Sequence, residues 1–239
     1  MTARTVRDSG YQDTIVIFTI TDKESPYATC INLSTHPDAS LIQLPRSKFF
    51  HRTLCTPFGY PAYSSTLDYF IIKTLPGRFI DKSDYDFILY LDSDILVHPG
   101  QSLDEIFDSC TPIADFNSRP ALQDIKQLRR HLTQAEALFA ATIPGIGGGA
   151  FGIPRGHYGF FELYRECYLA YLAEIPHDQP VLSFVKIRYH RRHPFAQWPN
   201  RKYFRHYWGN RKQQMIKDYE RRYGAGSARA FLTQLALRD

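Results

Sequence analysis

The stretch that decides the fold is Tyr85-Asp86-Phe87-Ile88-Leu89-Tyr90-Leu91-Asp92-Ser93-Asp94-Ile95-Leu96-Val97. Its first half, 85–91, is a short apolar run of the kind that forms a buried strand. Asp92 and Asp94 follow it directly. Two carboxylates one residue apart at the end of a buried strand are costly unless a cation or a partner neutralises them. Sites in open α/β sheets lie at the carboxyl ends of strands. Hard oxygen ligands with room for a phosphate suit Mn²⁺ or Mg²⁺. The plain alternative is a pair of acidic loop residues capping the next element. The apolar runs on both sides favour the metal.

On the amino side, 14–20 is a β-branched run that reads as a second buried strand, and 40–44 as a further short one. Residues 1–13 read as a loose polar leader. Ser65 opens a helix whose apolar face is Tyr69, Ile72 and Leu75, and Pro76-Gly77 ends it. On the carboxyl side, 102–108 reads as a short helix and 112–116 as a strand. The spacing of Leu122, Ile125, Leu128, Leu132, Ala135 and Leu138 predicts one long helix over 121–142. The glycines of 145–149 predict a loop, with a strand at 150–153 after it. A second long helix is predicted over 157–173, and an amphipathic end helix over 227–237. Strands alternating with helices predict an α/β fold with a mostly parallel central sheet flanked by helices. No repeat or linker divides residues 14–239.

The chain has 239 residues, enough to bury a sizeable core. Hydrophobic residues make up 44% and charged residues 22%, which excludes a disordered or fibrous chain. No apolar run approaches the roughly 20 residues that span a bilayer, and the first ten residues have no signal-peptide core. The expectation is a soluble, cytoplasmic protein. Cys30, Cys55, Cys110 and Cys167 are far apart and read as free thiols.

The net charge of +5 hides an asymmetry. Residues 186–222 hold 12 Lys/Arg against two Asp/Glu, a local +10, and the remainder carries −5. A basic third of this kind suits an anionic partner: phosphate, a lipid surface or nucleic acid. Within it lies His206-Tyr207-Trp208-Gly209-Asn210-Arg211-Lys212. His206 is a candidate third metal ligand, and imidazole suits Mn²⁺ better than Mg²⁺. Gly209 lets backbone approach a ligand closely. Lys212 supplies a point charge for a phosphate.

Leu-Tyr-Leu-Asp92-Ser93-Asp94-Ile-Leu-Val, preceded by Lys73-Thr74-Leu75-Pro76, resembles the core of glycosyltransferase family 8. That family includes glycogenin and the bacterial lipopolysaccharide galactosyl- and glucosyltransferases. His206-x-x-Gly209-x-x-Lys212 resembles its His-x-x-Gly-x-x-Lys element, and His177-Asp178-Gln179 its Asp-Gln motif. The resemblance spans 14–212. It implies a single GT-A (Rossmann-like) catalytic domain over 14–239 that binds a UDP-sugar through a divalent metal. Asp92, Asp94 and His206 would hold Mn²⁺ or Mg²⁺. Gly209 and Lys212 would contact the diphosphate. Thr19, Thr21 and Tyr27 would cradle base and ribose, with Lys73 and Ser93 completing the donor site. Asp178 would touch the donor sugar, and Gln179 would sit beneath the anomeric carbon. The family retains anomeric configuration, and no residue here stands out as an inverting base. The chain departs from the family pattern at two places. Gly147-Gly148-Gly149 stands where the family has Asn-Ser-Gly, and Asp68 lies where an Arg commonly reaches the donor.

In this light the basic third would bind donor diphosphate and dock a glycan or glycolipid acceptor, or touch an anionic membrane surface. Nucleic acid fits less well, because the usual binding motifs are missing. Rival readings are a haloacid-dehalogenase-type phosphatase and a basic adaptor for nucleic acid or anionic lipid. The phosphatase wants Thr or Val where this chain has Leu96. The adaptor leaves Asp92 and Asp94 unexplained. A nucleotidyltransferase would want a Gly-rich phosphate loop near the amino end.

Overall fold

The computed structural model describes residues 1–19, 24–32, 73, 84–171, 178–198, 200–207 and 211–229. The strand expected at 40–44, most of the helix opened by Ser65, and residues 230–237 lie outside them.

The described chain is a mixed α/β structure. The expected strand at 14–20 is β1 (Val16–Thr19). It pairs in parallel with β2 (Thr29–Asn32), with Val16 opposite Thr29. The deciding stretch forms β3 (Phe87–Leu91) and β4 (Ile95–Val97), with Asp92-Ser93-Asp94 in the tight connection between them. β5 (Ile113–Pro120), β6 (Pro144–Pro154) and the short β7 (Ala196–Gln197) complete a four-stranded sheet of order β3-β6-β5-β7. β6 runs antiparallel to both β3 and β5, and β5 runs parallel to β7. The sheet is therefore mixed, which corrects the expected mostly parallel one. β4 pairs antiparallel with β8 (Phe204–His206).

Two more expectations are corrected. The glycines of 145–149 lie inside β6 rather than in a loop. The single helix expected over 121–142 is three pieces: α3 (Ala121–Asp124), a 3₁₀ helix (Lys126–His131) and α4 (Gln134–Thr142). The break has a local cause. The Thr133 hydroxyl accepts from the Glu136 N–H, and the Glu136 carboxylate accepts from the Thr133 N–H, a reciprocal cap that starts a new helix. The short helix expected at 102–108 is α2 (Asp104–Phe107), and that expected at 157–173 is α5 (Gly159–Tyr171).

The residues read as a loose leader hold α1 (Thr2–Arg7), with Ala3, Thr5 and Val6 buried. Thr5 Oγ1 accepts from the Val97 N–H (3.1 Å), and Thr2 Oγ1 donates to the Ser93 carbonyl (2.9 Å). This helix therefore braces the Asp92–Asp94 connection from outside.

The sheet divides the apolar core. β6 alternates as a strand must: Phe151 and Ile153 pack against α5 and α6 (Asp178–His190), among Phe160, Phe161, Tyr164, Leu182 and Phe184. Ala150 packs on the other side with Ile95, Val97, Ile113 and Trp198. A third cluster joins Leu96 and Tyr207 to Met215 and Tyr219 of a helix at Lys212–Tyr223. Cys110 and Cys167 are free thiols, and Cys55 lies outside the described residues. Among the described residues no helix is long and apolar enough to cross a membrane.

Candidate metal centre

Backbone pairing assembles the site. The Asp92 N–H donates to the Gly149 carbonyl (2.8 Å), fixing the first carboxylate at the end of β3. Ile95 lies opposite His206 in the β4–β8 pair, and the Tyr207 N–H donates to the Asp94 carbonyl (2.9 Å). This register sets His206 Nε2 3.1 Å from Asp94 Oδ1. One ligand atom each from Asp92, Asp94 and His206 lies within 4.8 Å of the others. Ligands about 2.1 Å from a Mg²⁺-type ion span at most about 4.2 Å across it, so a small closure would seat a divalent cation. Two carboxylates and one imidazole form a donor set that suits Mn²⁺.

The two aspartates differ in surroundings. Burial pushes the Asp92 carboxyl up, against the pull of Lys73 and of the hydrogen bond from the Tyr90 hydroxyl (2.7 Å). Asp94 also feels burial. There the hydrogen bond and charge of His206, with the charge of Lys212, outweigh it and hold Asp94 below the usual carboxylate range. Lys212 Nζ lies 3.8 Å from Asp94 Oδ2.

Lys73 joins this pair to the predicted sugar-binding residue. Its ammonium sits 2.5 Å from Asp178 Oδ2 and 3.2 Å from Asp92 Oδ1, and donates to the Gly148 carbonyl (2.7 Å). Burial would lower the Lys73 pKa, but the charges of Asp178 and Asp92 override it and raise it. Asp178 opens α6, and its neighbour Gln179 also reaches the Gly148 region: a Cβ at Gly148 would lie 3.8 Å from Gln179 Cβ.

The glycines explain how so many polar groups crowd one strand. A Cβ at Gly149 would collide with Cε1 of His206 and lie 2.7 Å from its Nδ1. The imidazole therefore rests directly on the bare Gly149 backbone. A Cβ at Gly148 would meet Asp178 Oδ2 at 3.2 Å and Lys73 Nζ at 3.4 Å, and one at Gly147 would meet Asp115 Oδ2 at 3.2 Å. Interior strand glycines mark close approach of another group, and here each of the three is covered by one.

Of the residues singled out from sequence, the structure brings together Asp92, Asp94, His206, Lys73, Asp178, Gln179 and Lys212. Ser93 stands between the two aspartates, exposed, with its carbonyl tied to Thr2. Tyr27 stands beside α1 instead: its carbonyl accepts from Arg7 Nε (3.0 Å), and Arg4 lies 5.7 Å from its ring. With Arg7, Gln12 and Thr29 it lines an open cavity of about 530 Å³. Thr19 ends β1, while Thr21 and Gly209 lie outside the described residues. Sequence reasoning missed Tyr90, Asp115 and the packing role of Gly148 and Gly149. The available signal was polar or absent side chains inside otherwise apolar strands. No protein-family model, curated protein or solved structure matches the chain.

Proposed function

We propose that the chain is a metal-dependent glycosyltransferase with a GT-A-type domain over 14–239. It would move a sugar from a nucleotide-sugar, a UDP-sugar in the first instance, to a glycan or glycolipid acceptor. One observation carries the reading. Asp92 and Asp94 meet His206, more than 100 residues away in sequence, within 4.8 Å, with Lys212 beside them. Sequence resemblance named the same residues for that role.

A bound divalent metal would supply positive charge to the leaving diphosphate. The chain's own groups do the rest. Lys212 adds a point charge on the Asp94 side, where negative charge builds as the glycosidic bond to phosphate breaks. Asp178 presents a carboxylate that orients sugar hydroxyls and favours positive character at the anomeric carbon, which becomes oxocarbenium-like. Lys73 holds that carboxylate in place and keeps the otherwise repulsive Asp92–Asp178 pair together. Gln179 supplies an amide beside Asp178.

The test is thermal stability with UDP, GDP, CDP and dTDP, each with and without Mn²⁺. A ligand that binds only the native state raises the melting temperature by mass action. The expected result is a rise with UDP that needs Mn²⁺, lost in Asp94→Ala. A rise with no nucleotide under either condition would overturn the proposal.

A further inference from the structure

We infer that Tyr90 sets which divalent cation the centre accepts. Its hydroxyl occupies one oxygen of Asp92, so Asp92 offers a cation a single oxygen, and the site favours Mn²⁺ over the larger Ca²⁺. The inference deepens the proposed function and rests on its metal reading, not on the nucleotide or the sugar.

Tyr90 and Asp92 stand two residues apart at the end of β3, so their side chains leave on one face of the sheet. The Asp92 N–H bond to the Gly149 carbonyl carries the strand pairing one residue further. On that face the Tyr90 hydroxyl donates to Asp92 Oδ1 (2.7 Å). The tyrosine is itself fixed. It lies opposite Phe151 in the β3–β6 register, and the two rings stack with centroids 5.0 Å apart and planes at 17°. Phe151 is wholly buried and packs on Phe160 and Phe161. Lys73 Nζ stands 5.2 Å from the Tyr90 ring centroid. A hydroxyl on a ring held in this way dictates how the carboxylate turns.

The two oxygens of Asp92 are therefore not equivalent. Oδ1 accepts from Tyr90 and lies 3.2 Å from Lys73 Nζ, so its two lone pairs are both engaged. Oδ2 meets Lys73 at 3.5 Å, the far edge of hydrogen-bond range, and keeps a lone pair to spare. A carboxylate can grip a cation with both oxygens or with one. Tyr90 leaves Asp92 the one-oxygen grip.

That difference separates ions. Ca²⁺ takes about 6–8 oxygen ligands at about 2.3–2.6 Å and often gathers them through bidentate carboxylates, whereas an ion of the Mg²⁺ type wants a tight octahedron at about 2.0–2.1 Å. His206 already biases the set towards a transition metal by its nitrogen. Tyr90 adds a limit on the number of oxygens. It touches no reacting atom, so it is a positioning residue. Two plainer roles are distinguishable from this one. A bond that only supports the fold acts on stability without metal, and a bond that only steers Asp92 helps every cation alike.

The experiment is titration calorimetry of the full chain with MnCl₂ and with CaCl₂, for the wild type and for Tyr90→Phe. The phenylalanine keeps the stack on Phe151 and removes the hydroxyl alone, so the metal-free melting temperature should stay close to that of the wild type. The wild type should bind Mn²⁺ more tightly than Ca²⁺. Tyr90→Phe should lose about tenfold in Mn²⁺ affinity, the lower end of the range for removing support from a ligand. Its Ca²⁺ affinity should hold or rise, so the preference narrows by at least the same factor. A wild type that binds neither ion overturns the metal reading and this inference together. A wild type that binds Mn²⁺ without preferring it to Ca²⁺ overturns this inference alone. So does a Tyr90→Phe chain that keeps the full preference, loses both affinities equally, or melts far below the wild type before metal is added.

Discussion

Two polar clusters sit on the same strand and the same helix, and they are built in opposite ways. At one end of β6, Gly148 and Gly149 face Asp178, Lys73, Asp92 and His206. At the other end, Pro144 and Ile146 face Lys186 and Ser183 of the same helix. Lys186 Nζ donates to the Pro144 carbonyl (2.7 Å) and lies 3.4 Å from the Phe116 ring centroid. Ser183 Oγ accepts from the Ile146 N–H (3.2 Å) and donates to Asp124 Oδ2 (3.0 Å). Lys186 and Ser183 are wholly buried, whereas the side chain of Asp92 keeps 26% of its surface open and that of His206 20%. The sealed cluster fixes α6 on the strand, and the half-open one keeps carboxylate oxygens available to a ligand. Polar groups satisfied inside the protein serve register, and polar groups left reachable serve binding.

The largest effects are expected at the open end. Asp94→Ala should abolish the Mn²⁺-dependent nucleotide shift while leaving the metal-free melting temperature within a few degrees of wild type. A large loss of fold stability in that variant would make Asp94 a structural residue and erase the contrast between the clusters. Gly149→Ala should come next. The added methyl has to displace the His206 ring, so Mn²⁺ affinity should fall about 10–100-fold, the range expected when support for a ligand is removed. Titration calorimetry with the metal alone reads this directly. Unchanged affinity would mean that His206 is not a ligand.

The sealed end should answer to pH instead. Burial pushes the Lys186 ammonium down to about 7, against the smaller upward pull of Asp124. The unfolded chain then holds a proton between pH 7 and 10 that the folded chain has released. Stability gains from this group as pH rises from 7 and loses as pH falls towards 7, by about 1 kcal/mol per pH unit. Lys186→Met, which fills similar volume without charge, should flatten that slope. Melting temperatures of the two proteins at pH 7, 8 and 9 measure the difference, and parallel slopes would show that Lys186 stays charged.

The open cluster was more legible in the sequence than the sealed one. Asp92, Asp94, His206 and Lys212 were named because carboxylates after an apolar run, and a histidine and a lysine in a basic stretch, carry their chemistry locally, whereas Asp178 was named through the family resemblance alone. The glycines were misread because a glycine run ordinarily means a loop. What keeps this run extended is what lies on it, namely Asp124, Asp115, Lys73 and His206, and no local pattern names those partners. The 121–142 helix was misread because its apolar spacing runs unbroken through Thr133-x-x-Glu136, a start signal that overrides the spacing. The basic third was read as charge available to anionic partners. The fold instead buries Lys186, pairs Arg205 with Asp218 (3.0 Å) and Lys202 with Glu105 (2.7 Å), and ties Arg222 to the Val97 carbonyl (2.8 Å). Part of that charge therefore holds the chain together.

Ser183→Ala is the smallest and sharpest test of the comparison. The hydroxyl bridges the Ile146 N–H of β6 to the Asp124 carboxylate, so its loss strands a buried donor and removes one of the two side-chain bonds Asp124 accepts. An unsatisfied buried polar group costs about 1–3 kcal/mol, and the alanine should lower stability by about that much. Along α6, Ser183 lies five residues from Asp178, about 7.5 Å at the helical rise. Along β6, Ile146 lies two residues from Gly148, about 6.6 Å at the strand rise. The two spacings match, so the serine pins the helix at the register that brings Asp178 to Lys73. Through that coupling, Ser183→Ala should weaken the Mn²⁺-dependent UDP shift severalfold while leaving affinity for Mn²⁺ alone unchanged. That split separates displacement of Asp178 from damage to the metal ligands. Equal loss of both affinities would mean that the clusters do not act separately.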